Sequence, residues 1–380
     1  MNTNIVQTAR LVQSFAMKLH AWSILALIGA AICLPQAPLW AQAVIFDAPM
    51  QPAQSNLVIY STLDTPRAGT LIAAFQAQNP TVSVTYEDML AADIAARVIR
   101  ENDAGAPTAD FVFSSGMDLQ MKLANDGYGQ PVATPTAPFW PAWAKWQDIA
   151  FALTYEPAVL VYHRPSFPNG PPQSRLELMD WLRAQPRAAL GSGPIGTYDI
   201  AASSVGYLHL ARDAEHFADI WSLVRTMGAA GAQVFPTSQD IISRVADGRL
   251  ALGYNILGSY AAEQARANPD LGVVLLRDFT VVVSRIGLVP RASRNPDLGA
   301  AFLAFLMGVD GQSLMANQLS LPAISPEVTT AASARSLQAQ LGPQLRPVAV
   351  GPGLMVYLDQ GNRRRMLALW GRALGLPDAP

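Results

Sequence analysis

The chain reads as an α/β protein whose strands fall into two groups, each with a largely parallel sheet. Three observations predict this. Short apolar strands in the first third each end in small polar residues and give way to an amphipathic helix. A second strand–helix series follows the Pro/Gly-rich stretch 165–172, which reads as a boundary. Two long extended runs, 151–162 and 280–289, are placed to carry the chain from one group to the other and back.

The elements follow in order. Leu57-Val58-Ile59-Tyr60 is a buried strand ending in Ser61-Thr62. A helix follows, with Thr65 as N-cap, Pro66 at the first helical position, and Leu71, Ile72 and Phe75 on one face. Residues 82–86 alternate as a second strand. The next helix turns Ile94 and Val98 inward and Asp93, Arg97 and Glu101 outward. Asp110-Phe111-Val112-Phe113 is a third strand leading into Ser114-Ser115-Gly116. There Ser115 and Asp118 have capping-box spacing, and Gly127 suits the helix C-terminus. The run 151–162 is expected to break at Glu156-Pro157. The second group reads as helix 174–184, strand 188–191, helices 203–212 and 216–227, strand 232–235, helix 238–247 and strand 250–254. A helix starts at Asn295-Pro296 and runs through Leu306, and the last helix, 362–374, carries Arg363, Arg364 and Arg365.

The N-terminus reads as a cleavable signal peptide, residues 1–43. Arg10, Lys18 and His20 precede an apolar run over 21–34, too short for a permanent membrane span, and Ala41-Gln42-Ala43 supplies the small-x-small cleavage pattern. The expected location is therefore the periplasm. The one cysteine, Cys33, lies inside the apolar run after Ile32, which does not suit lipidation. Cleavage after Ala43 would leave no cysteine for disulfides, thiolate metal sites or nucleophilic catalysis. A hydrophobic share of 51% against 14% charged residues describes a large core, and a net charge of −2 offers no basic field for nucleic acid.

The order of several segments resembles the periplasmic solute-binding proteins of ABC importers, in the group that includes iron(III)-, thiamine-, phosphonate- and phosphoglycerate-type members. The segments are 57–62, 109–115, 203–207, 247–255, 286–290 and 295–315. The resemblance implies a type II periplasmic-binding-protein fold: two α/β lobes joined by two hinge strands, closing around one small ligand. It places lobe 1 at 56–155 plus 284–346, lobe 2 at 156–283 and a C-terminal helical segment at 347–380. The implied partners of a monomeric chain are a small-molecule ligand and an ABC permease in the inner membrane. A sensor kinase is the alternative partner.

The expected ligand contacts are small hydroxyl residues at strand ends ahead of helices: Ser61, Thr62, Ser114, Ser115, Thr197, Ser203, Ser204 and Ser238. Helix N-termini leave N–H groups unpaired and favour a carboxylate or phosphate. The same residues are also ordinary N-caps. Tyr198, Tyr254 and Asn255 would supply a side wall. Arg67 and Arg285 read either as carboxylate clamps or as salt-bridge residues. The solute expected is a small organic anion. Ferric iron is an alternative reading, with Tyr254, Tyr260, Asp64 and Glu87 as its candidate ligands, although the adjacent tyrosine pair of the iron-binding members is missing from 254–260. Trp140, Trp143 and Trp146, spaced by three, read as packing on a helical face. No cofactor is expected. No HExxH, P-loop or G-x-S-x-G motif occurs, and His163, His209 and His216 lack zinc-ligand spacing, so the chain reads as a binding protein and not an enzyme.

Overall fold

In the computed structural model, residues 43–376 are described, so the signal peptide expected over 1–43 lies outside them except for Ala43. Two seven-stranded sheets organise the chain. The first runs in the order Val44–Phe46, Val82–Asp88, Ser55–Ser61, Phe111–Ser114, Ile286–Leu288, Ala150–Ala152, Lys145–Trp146. The second runs in the order Leu345–Pro347, Thr280–Val283, Glu156–His163, Leu252–Leu257, Ile195–Tyr198, Gln233–Phe235, and Leu271–Val274 pairs with Glu156–His163 beside that path. This is the two-sheet α/β architecture expected.

The sheets are mixed, not largely parallel. In each, three strands run parallel: Ser55–Ser61 with Val82–Asp88 and Phe111–Ser114, and Ile195–Tyr198 with Leu252–Leu257 and Gln233–Phe235. The strands that directly follow the crossings, Glu156–His163 and Ile286–Leu288, are antiparallel to their neighbours, whereas Leu345–Pro347, which arrives after several helices, pairs parallel with Thr280–Val283. A chain arriving from the opposite side has no other direction open to it without a further crossover.

Two crossings pass side by side between the sheets. One is Leu153-Thr154-Tyr155, between Ala150–Ala152 and Glu156–His163. The other is Ser284-Arg285, between Thr280–Val283 and Ile286–Leu288. The Leu153 N–H donates to the Arg285 carbonyl at 2.9 Å, and the Arg285 N–H donates to Thr154 Oγ1 at 2.8 Å. The break in the first run thus falls at 153–155, and Glu156-Pro157 opens the following strand. Pro157 is tolerated at that end position, opposite Val282. The stretch 165–172 is a loop joining Glu156–His163 to helix Arg175–Arg183 and marks no boundary between sheets.

Most helices lie where their periodicity puts them. Thr65–Gln78 buries Leu71, Ile72 and Phe75, and Phe75 meets Phe302 edge-to-face at 5.1 Å. Its N-cap is Asp64, one residue before Thr65. Ala91–Asp103 buries Ile94 and Val98. Met117–Asn125 ends in a Schellman turn: Gly127 has φ +80°, Tyr128 N–H reaches the Leu123 carbonyl and Gly127 N–H the Ala124 carbonyl. No strand forms over 188–191. The strand is Ile195–Tyr198, past a Gly-Ser-Gly-Pro turn. The tryptophans do not share a helix. Trp140 is buried with its indole N–H on the Ala152 carbonyl, Trp143 packs on Tyr155, and Trp146 lies in an edge strand.

The C-terminal segment touches both halves. Val350 N–H bonds the Trp143 carbonyl, and the 3-10 turn Pro352–Leu358 packs on Met117–Asn125. Helix Gln360–Leu374 packs on Ile220–Ala229, burying Trp370 and Leu374.

Candidate ligand-binding cleft

The carboxyl ends of the three parallel strands in each sheet converge on one cavity of about 560 Å³, the position where open α/β sheets gather ligands. From the first sheet come the strand-to-helix turns holding Thr62 and Asp64, Asp88 to Ala92, and Ser115 with Asp118. From the second come Tyr198, Ala201 to Val205, Pro236 to Gln239, and Leu257 with Tyr260. Arg285, on one crossing, forms part of the floor, and Leu358 and Arg363 come from the C-terminal segment.

The eleven residues expected to contact ligand divide into two sets. Thr62, Ser115, Tyr198, Ser203, Ser204 and Ser238 border the cavity. Ser61 and Ser114 lie one position too early on their strands: their side chains turn inward, accepting from the Leu63 and Gly116 N–H groups at 3.0 and 3.1 Å. Thr197 is also buried, its hydroxyl on the Tyr254 carbonyl. Tyr254 and Asn255 sit behind the cleft wall, away from the cavity. The Tyr254 hydroxyl accepts from Arg175 Nε at 2.9 Å and donates to Asp213 at 2.6 Å, and Asn255 Nδ2 donates to the same carboxylate at 2.6 Å. Burial raises the Tyr254 pKa well above that of a free phenol and keeps the hydroxyl a donor. Arg175 itself pairs with Asp213 at 2.6 Å and stacks on Phe279 at 3.6 Å. This network spans helix, strand and loop, and fixes the second sheet's wall.

The helices at the cleft differ in capping. Ser203 and Thr237 cap their helices through Gly206 and Asp240 N–H, as ordinary N-caps do. The N-cap side chains of Thr65–Gln78, Ala91–Asp103 and Met117–Asn125 make no cap bond, but Asp88 accepts from the Thr65 N–H and Asp118 Oδ1 from the Leu119 N–H at 2.9 Å. The capping box expected of Ser115 and Asp118 is not made: the N-cap is Gly116, and the Ser115 hydroxyl bonds Thr62 Oγ1 at 3.3 Å.

Charges of both signs surround the space. Arg285 contacts Glu156 at 3.2 Å, Thr62 Oγ1 at 3.1 Å and the Tyr260 hydroxyl at 3.4 Å, so its charge is matched inside the fold. Arg67 lies outside the cavity, in an ion pair with Glu263 at 3.0 Å and stacked on the Tyr260 ring. Asp118 is pushed up to about 6 by burial, and Asp88 to about 6 by burial and then by the neighbouring Asp64 carboxylate. Of the iron candidates, Asp64 and Tyr260 border the cavity, Glu87 is taken by Arg97, and Tyr254 is locked as described. Among the described residues no group of three or more His, Cys, Asp or Glu is placed to hold a metal. Sequence reasoning did not single out Asp88, gave Asp118 only a capping role, and gave Arg363 none. The signal for the first lay in its position, directly after a strand and ahead of a helix.

Residues 70–339 match the family model described as bacterial extracellular solute-binding protein. A substrate-binding protein of an ABC transporter from Agrobacterium tumefaciens is 52% identical over 89% of this chain and 100% of its own, with a TM-score of 0.83. The fold is shared at lower identity. The periplasmic binding protein AfuA from Actinobacillus pleuropneumoniae, solved with fructose-6-phosphate, is 16% identical over 85% of this chain and 100% of its own, with a TM-score of 0.68. Iron-bound HitA from Pseudomonas aeruginosa is 16% identical over the same shares, with a TM-score of 0.63. No curated protein matches the chain. Members of the matching family bind solutes and do not transform them, in keeping with the expected absence of catalysis. With a family model spanning most of its length and a close structural relative, the chain belongs to the bacterial extracellular solute-binding proteins.

Proposed function

We propose that this chain is the solute-capture component of an ABC importer, working in the periplasm and handing its ligand to a membrane permease. The 52% identical Agrobacterium protein, described as the substrate-binding protein of an ABC transporter, supports the transport role. The ligand is an organic anion that also carries hydrogen-bond donors such as hydroxyl or amino groups.

One observation carries the ligand class. The N-terminus of helix Ala91–Asp103, which has no side-chain cap, and the Arg363 guanidinium both border the cavity, and each favours a carboxylate or phosphate. Asp64, Asp88 and Asp118 on the same wall would repel a ligand that is anionic throughout. A ligand with donors at its other end satisfies both. The cavity, near 560 Å³, suits a small solute. Ferric iron is the weaker reading, because Tyr260 is held protonated by burial and Glu87 is committed elsewhere.

A thermal-shift screen of the mature protein tests this, with organic acids, phosphate esters, phosphonates, polyamines, thiamine and ferric salts. A ligand at 100 times its Kd adds about 2.7 kcal/mol. The expected hits are hydroxylated or amino-bearing anions. Shifts confined to polyamines or thiamine would remove the anion assignment, and a tyrosinate colour on iron loading would replace it with the metal reading.

A further inference from the structure

The cavity has a third wall that neither sheet supplies. The segment from Val350 to Leu374 begins on the first half, at the Trp143 carbonyl and helix Met117–Asn125, and ends on the second, against Ile220–Ala229. Between those anchors it passes the cleft, and Leu358 and Arg363 border the cavity there. Tyr357 ties the passage to the second half through Glu215 Oε1 at 2.6 Å. Asp359 caps the final helix at Asn362 N–H, which fixes the turn from which Arg363 projects.

Arg363 differs from the other arginines of this region. Arg285 and Arg67 each contact a carboxylate. Among the described residues none forms an ion pair with Arg363. Its guanidinium stacks on the Tyr207 ring at 4.7 Å and donates one bond, from Nη2 to the Ala201 carbonyl at 3.3 Å. Asp118 feels its charge without pairing with it. Arg364 and Arg365 face solvent, while Arg363 is half-buried at the cleft. A stacked guanidinium has its plane fixed and its remaining N–H donors directed sideways, the arrangement that binds a carboxylate or phosphate bidentately. Ala201 to Val205, which include the start of helix Ser204–His216, border the same space.

We propose that Arg363 is the specificity-determining contact for the anionic end of the solute, presented by a C-terminal segment that completes the binding site. The inference rests on the capture of an organic anion proposed above. It places the charged group against Arg363 and the donor-bearing end toward Asp64.

Isothermal titration of the mature protein and its Arg363→Gln and Arg363→Lys variants tests it. The probes are glycerol 3-phosphate, malate and serine, with glycerol as the neutral control, at low and high salt. The expected result is that the wild-type protein binds at least one anionic probe, that Arg363→Gln weakens it fivefold or more, and that Arg363→Lys recovers part of the loss. Unfolding midpoints of both variants check that the fold is kept, and Arg363→Lys carries the test if Arg363→Gln does not fold. A smaller loss in Arg363→Gln overturns the role of Arg363 and leaves anion capture standing. A wild-type protein that binds none of the anionic probes overturns both.

Discussion

Tyr254 offers the sharpest test of the structural reasoning, because its sequence position beside a strand end suits a ligand wall and its environment suits a keystone. Tyr254→Phe removes one hydroxyl and leaves the ring in place. That hydroxyl accepts from Arg175 Nε at 2.9 Å and donates to Asp213 Oδ2 at 2.6 Å, and all three side chains are buried. Hydrogen bonds to charged groups contribute about 1.5–3 kcal/mol each, and leaving a buried donor unpaired costs its desolvation. The variant is therefore expected to lose about 3–5 kcal/mol. With an unfolding entropy near 2.1 cal/mol/K per residue, a mature chain of this size shifts its Tm by roughly 1.4 °C per kcal/mol, so the expected drop is about 4–7 °C. Differential scanning calorimetry reads the shift, and titration with any solute found by the thermal-shift screen reads affinity, which should change less than threefold. A Tm within about 1 °C of wild type together with a tenfold loss of affinity would refute the placement of Tyr254 behind the wall.

Three further outcomes follow from the same geometry. Arg175→Met strands the Asp213 carboxylate, which Arg175 pairs at 2.6 Å, and should destabilise by about 3–5 kcal/mol in urea unfolding. Asp118, raised to about 6 by burial, is penalised in the folded state wherever it is ionised. Asp118→Asn should therefore raise Tm at pH 8, by up to about 3 kcal/mol of stability, and the gain should shrink as pH falls through about 6 toward the unfolded value near 3.9, below which the acid is protonated in both states. His209 has the opposite sign. It is fully buried, its Nδ1–H donates to the Asn255 carbonyl at 2.8 Å, its Nε2 lacks a partner among the described residues, and burial lowers it to about 4. Its contribution is complete above the unfolded value near 6.5 and is lost as pH falls toward 4. Urea midpoints of wild type and His209→Gln should therefore differ less at pH 4.5 than at pH 7.5.

What the sequence made legible was local. Leu71, Ile72 and Phe75, or Ile94 and Val98, repeat at helical spacing, and the helices form there because those faces cover a sheet. The hydroxyls after strands were legible too, since strand–turn–helix order alone brings Thr62, Ser115, Ser203 and Ser238 to one end of the sheets. A one-residue offset was not: side chains alternate along a strand, so Ser61 and Ser114 turn inward beside neighbours that face the cleft. Tyr254 was misplaced because its partners, Arg175 and Asp213, come from distant segments that only the fold brings together. Helix Gly258–Ala267, which follows the strand that was expected, opens on Gly-Ser-Tyr and packs on Glu156–His163. Arg363 stands in a run of three arginines that periodicity alone does not separate.

The two crossings carry a consequence for the order in which the protein is made. Ile286–Leu288 sits in the middle of the first sheet, between Phe111–Ser114 and Ala150–Ala152, although it is translated long after both. Until residue 288 has emerged, those two strands each present an unpaired edge, and the earlier part of the chain cannot complete its own sheet. The second sheet waits longer still, for Leu345–Pro347. Pairings so distant in sequence form slowly, because loop closure must precede any reward from contact. This topology acts as a timer: the strand that closes the first sheet arrives late, and the first half cannot close its sheet ahead of the second.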